Sequence, residues 1–270
     1  MSRIAERFEQ LAARGEGALI AYIMAGDPDP LRSLEYALAV EAGGADIIEF
    51  GLPFSDPVAD GPTIQAAGGR ALRARTTPRA VFQLAREFRA RSPLPLVLMS
   101  YYNPIWRMGE EAFLIHAAEA GADGVIVPDL PVEEAPSWIN FCRKYHLNRI
   151  FLATPETDEE RLQKIAHETN GFLYLVSRYG TTGAREELAE LTARLIERVR
   201  SLVPAGLPLA VGFGIARKEH VQSVMSAGAQ GVIVGSALVE QIAQGVTPEE
   251  LMAFVQELKD GTRPAARAAY

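Results

Sequence analysis

Short apolar, β-branched runs alternate with longer helical periods along this chain, and that alternation constrains its fold more than any other feature. The runs lie at 19–23, 46–50, 96–99, 124–127, 149–153, 172–176, 207–211 and 231–234, eight in all. Strands alternating with helices of about 10–15 residues indicate βαβ units and a parallel sheet. The runs carry little polar alternation, which fits strands covered on both faces. A weak internal repeat supports the reading. Ala42-Gly43-Gly44-Ala45-Asp46, Ala120-Gly121-Ala122-Asp123 and Ala227-Gly228-Ala229-Gln230 each end a helical period and begin a strand. Glycine just past a helix end explains the placement, and such recurrence is a module signature.

A chain of 270 residues, 48% hydrophobic and 23% charged, has ordinary globular composition and room for eight strand–helix pairs. The expected class is α/β: a single (β/α)₈ TIM barrel over 1–270, with an extra N-terminal helix at 2–13. Two helical segments, 63–73 and 78–89, fall between the second and third strands, one more than the repeat requires. A doubly wound open sheet is the structural alternative, and 262–270 reads as a frayed tail. The net charge of −7 argues against nucleic acid or an anionic membrane as partner. Cys142 is the only cysteine, so no internal disulfide is expected, and a reducing compartment fits. No run approaches the roughly 18 apolar residues of a membrane span, and the first ten residues lack the apolar core of a signal peptide. The simplest expectation is a soluble cytoplasmic protein.

Barrel active sites lie at the C-terminal ends of the strands. Period-two alternation puts Ile47 and Glu49 on one face of the second strand and Ile48 and Phe50 on the other. The apolar pair suits the helix layer, which aims Glu49 at the barrel mouth. A Gly/Pro/Asp-rich loop then carries Asp60, and Pro62 opens the next helix. Two converging carboxylates can divide acid and base work, although Ala-Asp-Gly is also ordinary turn chemistry. Val211-Gly212-Phe213-Gly214-Ile215 and Val234-Gly235-Ser236-Ala237 follow the seventh and eighth strands. Many barrels bind phosphate there, with glycine N–H groups and a helix N-terminus; plain capping is the alternative. The Gly/Thr-rich stretch 177–185 reads as a cover or lid. All four lysines and all four histidines fall in helical segments. That disfavours a Schiff base and a metal site, so a lyase of this design needs a substrate that supplies its own electron sink.

The segment Glu49-Phe50-Gly51-Leu52-Pro53-Phe54-Ser55-Asp56-Pro57-Val58-Ala59-Asp60-Gly61-Pro62-Thr63-Ile64-Gln65 resembles the signature of the tryptophan synthase α subunit family. The similarity continues through Ala25-Gly26-Asp27-Pro28, Pro128-Asp129-Leu130-Pro131, Tyr174-Leu175-Val176-Ser177-Arg178, Thr182-Gly183, Gly212-Phe213-Gly214-Ile215 and Gly235-Ser236. It implies retro-aldol cleavage of indole-3-glycerol phosphate to indole and glyceraldehyde 3-phosphate. Glu49 is implied as general acid/base, and Asp60 as acceptor for the indole N–H. Gly183, Gly212, Phe213, Gly214, Gly235 and Ser236 match phosphate-binding positions. Tyr22, Ile64, Leu98, Tyr174, Thr182 and Ile233 match the substrate pocket, with Tyr22 standing where many members carry Phe. The resemblance further implies an α₂β₂ complex with a β subunit that carries pyridoxal phosphate and receives the indole. No cofactor and no metal are expected in this chain. Asp56, Pro57, Asn103, Pro104, Asp129 and Pro131 match the β-facing edge. On barrel anatomy alone, a glycoside hydrolase, a sugar-phosphate isomerase and a purely regulatory subunit are the competing readings.

Overall fold

The computed structural model describes residues 2–176, 185–212 and 214–263, with backbone alone over 185–191. Among them the strands are β1 (Ala18–Met24), β2 (Ile47–Gly51), β3 (Leu96–Met99), β4 (Gly124–Ile126), β5 (Asn148–Ile150), β6 (Leu152–Ala153), β7 (Leu173–Val176), β8 (Leu209–Gly212) and β9 (Gly231–Val234). All neighbours pair in parallel, in the order β5-β4-β3-β2-β1-β9-β8-β7-β6. Only Phe151 separates the two outermost strands, so the sheet ends are joined through one residue and the barrel is nearly closed. The predicted run 149–153 is the one that divides: its first half pairs with β4 and its second with β7. Eight positions therefore stand around the barrel, and the open-sheet alternative is set aside.

The extra helices are present as α1 (Arg3–Ala13), α2 (Pro30–Ala42) after β1, then α3 (Pro62–Arg73) and α4 (Pro78–Arg89) between β2 and β3. Proline in the first turn of α2, α3 and α4 uses a position whose N–H has no helical partner anyway. Asp29 and Thr77 cap α2 and α4 through their side chains.

Alternate strand residues divide the core in two. Ile48, Phe50, Leu96 and Leu98 join the layer between strands and helices. Ile20, Ile47, Val97, Ile126, Ile150 and Ile233 point inward, where Ile4, Phe8 and Leu11 of α1 close the barrel floor. Each such buried side chain is worth roughly 1.5–3 kcal/mol relative to exposure, which anchors α1 as a plug.

The repeat acquires a second meaning at the N-terminal rim. Asp46 donates its N–H to the Leu19 carbonyl and accepts the Leu19 N–H on its carboxylate at 2.7 Å. Asp123 does the same with Leu96, at 2.9 Å, and Gln230 with Leu209 through its amide oxygen, at 3.0 Å. The last residue of each repeat thus ties the start of one strand to its neighbour. Cations complete the clamps: Arg7 and Lys259 on Asp46, Arg3 and Arg89 on Asp123, and Arg200 on Gln230. Thr262, assigned to the tail, is instead buried, and its carbonyl accepts the Gly17 N–H at 2.9 Å. A residue packed against the rim is not frayed; 264–270 lie outside the described residues.

Candidate active site

Glu49 stands on β2 in register with Tyr22 of β1 and Val97 of β3, and alternation turns it inward above Ile47. Its side chain is 1% exposed, and Oε2 has no hydrogen-bond partner among the described residues. Removal from water, reinforced by the Asp60 carboxylate, pushes its pKa up to about 8. Asp60 sits half-buried in the loop between β2 and α3. Burial raises its pKa to about 6, against the opposing effect of a hydrogen bond from the Tyr101 phenol.

Tyr22 and Tyr174 complete the space. Burial raises the pKa of each well above the ordinary phenol value, and both carboxylates add to the effect. The two acids and two phenols therefore share one electrostatic environment. Glycine makes room for the rings. A Cβ at Gly51 would lie 2.1 Å from the Tyr22 hydroxyl, and one at Gly212 2.7 Å from the Tyr174 hydroxyl. Tyr22 also packs beside Gly235, where a Cβ would come within 3.4 Å of its ring.

Gly212 ends β8 beside Tyr174, and Gly235 follows β9 beside Tyr22. Gly235 leads into helix Ser236–Ala243, whose first turn has no side-chain cap, and Ser236 is exposed there. Gly214 adopts φ +67°, and a Cβ at that position would meet nothing within 4 Å. Uncapped N–H groups and the helix dipole suit an anion. Gly183, Phe213 and Thr182 lie outside the described residues, as does the rest of the stretch 177–184.

The family model for the tryptophan synthase alpha chain matches residues 8–267. The tryptophan synthase alpha chain of Methanosarcina barkeri is 51% identical over 98% of this chain and 98% of its own. The chain belongs to the tryptophan synthase alpha chain family. Among solved structures, tryptophan synthase of Mycobacterium tuberculosis superposes with a TM-score of 0.89 at 36% identity, covering 98% of this chain and 99% of that one. The tryptophan synthase complex of Pyrococcus furiosus gives 0.82 at 42% identity, over 90% and 98%. Membership makes the chain an alpha subunit and a lyase of tryptophan biosynthesis.

One pocket expectation for this alpha chain is corrected by the strand phase. Leu98 packs in the outer layer with Phe50, its register partner, and faces the helices. Met99, opposite Gly51, takes the inward place and packs against Tyr22, Met24 and Ile64. Ile64 lies at the C-terminal end in that cluster, whereas Ile233 belongs to the inner layer with Ile20. Tyr101 is the other residue that sequence reasoning passed over. It follows β3 by two positions, is buried, and touches the Asp60 loop.

Asp56, Asn103 and Asp129 are exposed, and Pro57, Pro104 and Pro131 are partly so. A cavity of about 1270 Å³ opens at the opposite rim between α1, Arg200 and Gln230. It holds neither Glu49 nor Asp60. Lys259 is buried near that rim on Asp46 and Glu16. Among the described residues no group of His, Cys, Asp or Glu is arranged to hold a metal ion. No described helix is long and apolar enough to cross a membrane.

Proposed function

We propose that this alpha chain, acting as one domain, cleaves indole-3-glycerol phosphate to indole and glyceraldehyde 3-phosphate. The observation that carries the reading is Glu49: a buried carboxyl with a free oxygen and a pKa near 8, beside a second carboxylate. A group so tuned can give a proton and take one back near neutral pH. Protonated Glu49 delivers its proton to C3 of the indole ring. Positive charge then spreads onto the ring nitrogen, where Asp60, anionic above about pH 6, accepts the N–H hydrogen bond. The Glu49 carboxylate next removes the proton from the glyceryl hydroxyl on the carbon attached to C3. The bond between C3 and that carbon breaks, its electrons return to the ring, and the oxygen becomes an aldehyde. Glu49 regains its proton, so the cycle consumes none.

The uncapped start of helix Ser236–Ala243, with Gly212, Gly214 and Gly235, supports the phosphate assignment. Gly183, Phe213 and Ser236 are assigned there by family likeness, as is Thr182 to the pocket. The partner we assign is a tryptophan synthase beta subunit in an α₂β₂ complex, with pyridoxal phosphate on that subunit. Val58 and Trp106, 83% and 68% exposed beside Pro57 and Pro104, supply the apolar surface a protein partner would cover. A cytoplasmic location fits the assigned pathway chemistry.

Indole release from indole-3-glycerol phosphate, with and without a cognate beta subunit, tests the reading. Glu49→Gln should lower turnover by about 10²–10⁴-fold, the usual worth of a positioned proton-transfer group. Wild-type turnover in that variant would remove Glu49 from the mechanism.

A further inference from the structure

We propose that Tyr101 is a positioning residue for Asp60, fixing the loop after β2 through a single phenol. The hydroxyl accepts the Ala59 N–H at 3.0 Å, and its interaction with the carboxylate of the next residue, Asp60, favours that anion. Its ring packs on Phe54 of the same loop, centroids 5.6 Å apart. One side chain thus holds the loop at its ring, at a backbone amide and at the carboxylate. The remaining ties on Asp60 are to its backbone: its N–H donates to the Pro57 carbonyl at 3.1 Å, and Gln65 Nε2 donates to its carbonyl at 2.8 Å.

Tyr101 can act as a fixed post because its own base is fixed. The Leu52 N–H donates to the Met99 carbonyl at 2.8 Å, and the Ser100 N–H to the Ile126 carbonyl at 3.0 Å. The end of β3 is therefore pinned between the chains leaving β2 and β4. Tyr101 is also the residue before helix α5 (Tyr102–Met108), and it lacks a side-chain cap of its own. The Asp129 carboxylate supplies one, accepting the Tyr102 N–H at 2.8 Å. An anion at a helix N-terminus is favourably placed. The Asp129 loop thereby holds the start of α5, directly after Tyr101.

The inference rests on the role assigned to Asp60 above, but two of its consequences need no substrate. Titratable groups acting with Asp60 in this space are Glu49, Tyr22, Tyr174 and Tyr101 itself. Tyr101 is the one whose hydrogen bond favours the Asp60 anion. In Tyr101→Phe, which keeps the ring on Phe54, the ¹³C carboxyl titration of Asp60 should move upward. Amide exchange at Ala59 should quicken by about tenfold, the factor one ordinary hydrogen bond accounts for. With substrate, kcat should fall by about ten- to a hundredfold, as expected for a misplaced group, while KM changes little. In an Asp60→Asn background the same substitution should cost nothing further in kcat, because Tyr101 acts through Asp60. Unchanged titration and exchange in Tyr101→Phe would overturn the proposal, as would equal kcat losses in both backgrounds. Failure of wild type to release indole, with titration and exchange still responding, would strike the lyase reading and leave the positioning role standing.

Discussion

Asp46, just before β2, and Glu49, at its middle, lie three residues apart, and they are built on opposite terms. Both are buried carboxyls. Asp46 holds Arg7 on one oxygen and the Leu19 N–H with Lys259 on the other. Glu49 has an oxygen with no partner and another carboxylate for a neighbour. Asp123 and Asp60 repeat the contrast. Asp123 is bonded by Arg3, Arg89 and a strand N–H, whereas Asp60 faces Glu49 across the mouth. One rim satisfies its charges and ties strand starts together. The other leaves charge poised, which costs stability and supplies proton chemistry. On β2 the barrel separates the two tasks by three residues.

Breaking a clamp gives the largest effect. Asp46→Ala removes the nearer of the two carboxylate partners of buried Lys259 and frees the Leu19 N–H. Removing one side of a buried pair typically costs about 3–5 kcal/mol, read as a lower urea midpoint at unchanged slope. Indole release by the molecules still folded should remain near wild type, because no Asp46 contact reaches the mouth. A loss of turnover without a loss of stability would erase the division between the rims.

A paired substitution on β3 sharpens the comparison between layers. Leu98→Ala empties a site in the outer core and should destabilise by about 2–4 kcal/mol with KM little changed. Met99→Ala opens the wall beside Tyr22 and Ile64 and should raise KM with a smaller stability loss. Chemical denaturation and steady-state kinetics on both variants decide it; the reverse pattern would return Leu98 to the pocket.

That pair also marks where the sequence became silent. Glu49 was legible because Ile48 and Phe50 flank it, so the strand's phase could be read from a single polar residue. All four residues of β3 are apolar, and the phase is set only by pairing Met99 with Gly51. The barrel itself was legible from its repeat, and so were the extra helices α1, α3 and α4. The repeat's last residue was read only as the start of a strand, because the residue it clamps lies 27 positions earlier for both Asp46 and Asp123. Tyr101 was hidden for the same reason: its partner Ala59 lies 42 residues away. Local chemistry announces itself locally, whereas positioning groups are defined by what the fold brings to them.

Proton linkage gives the smallest and most diagnostic test. The folded chain raises Glu49 from 4.5 to about 8 and Asp60 from 3.8 to about 6. Between the unfolded and folded values the native state holds more protons than the unfolded one, so stability is greatest at the acid end and falls as pH rises toward 8. For Glu49 the slope is on the order of 1 kcal/mol per pH unit inside that window. Glu49→Gln cannot titrate, so its stability should decline less between about pH 5.5 and 8, measured by urea midpoints at each pH. Activity should be bell-shaped over the same span, rising as Asp60 ionises near 6 and falling as Glu49 loses its initial proton near 8. Above about pH 6 the stability slope and the alkaline limb come from one carboxyl, Glu49, so there both must disappear together on substitution. A Gln variant that kept the wild-type pH slope would mean that Glu49 is not the group the mouth holds protonated.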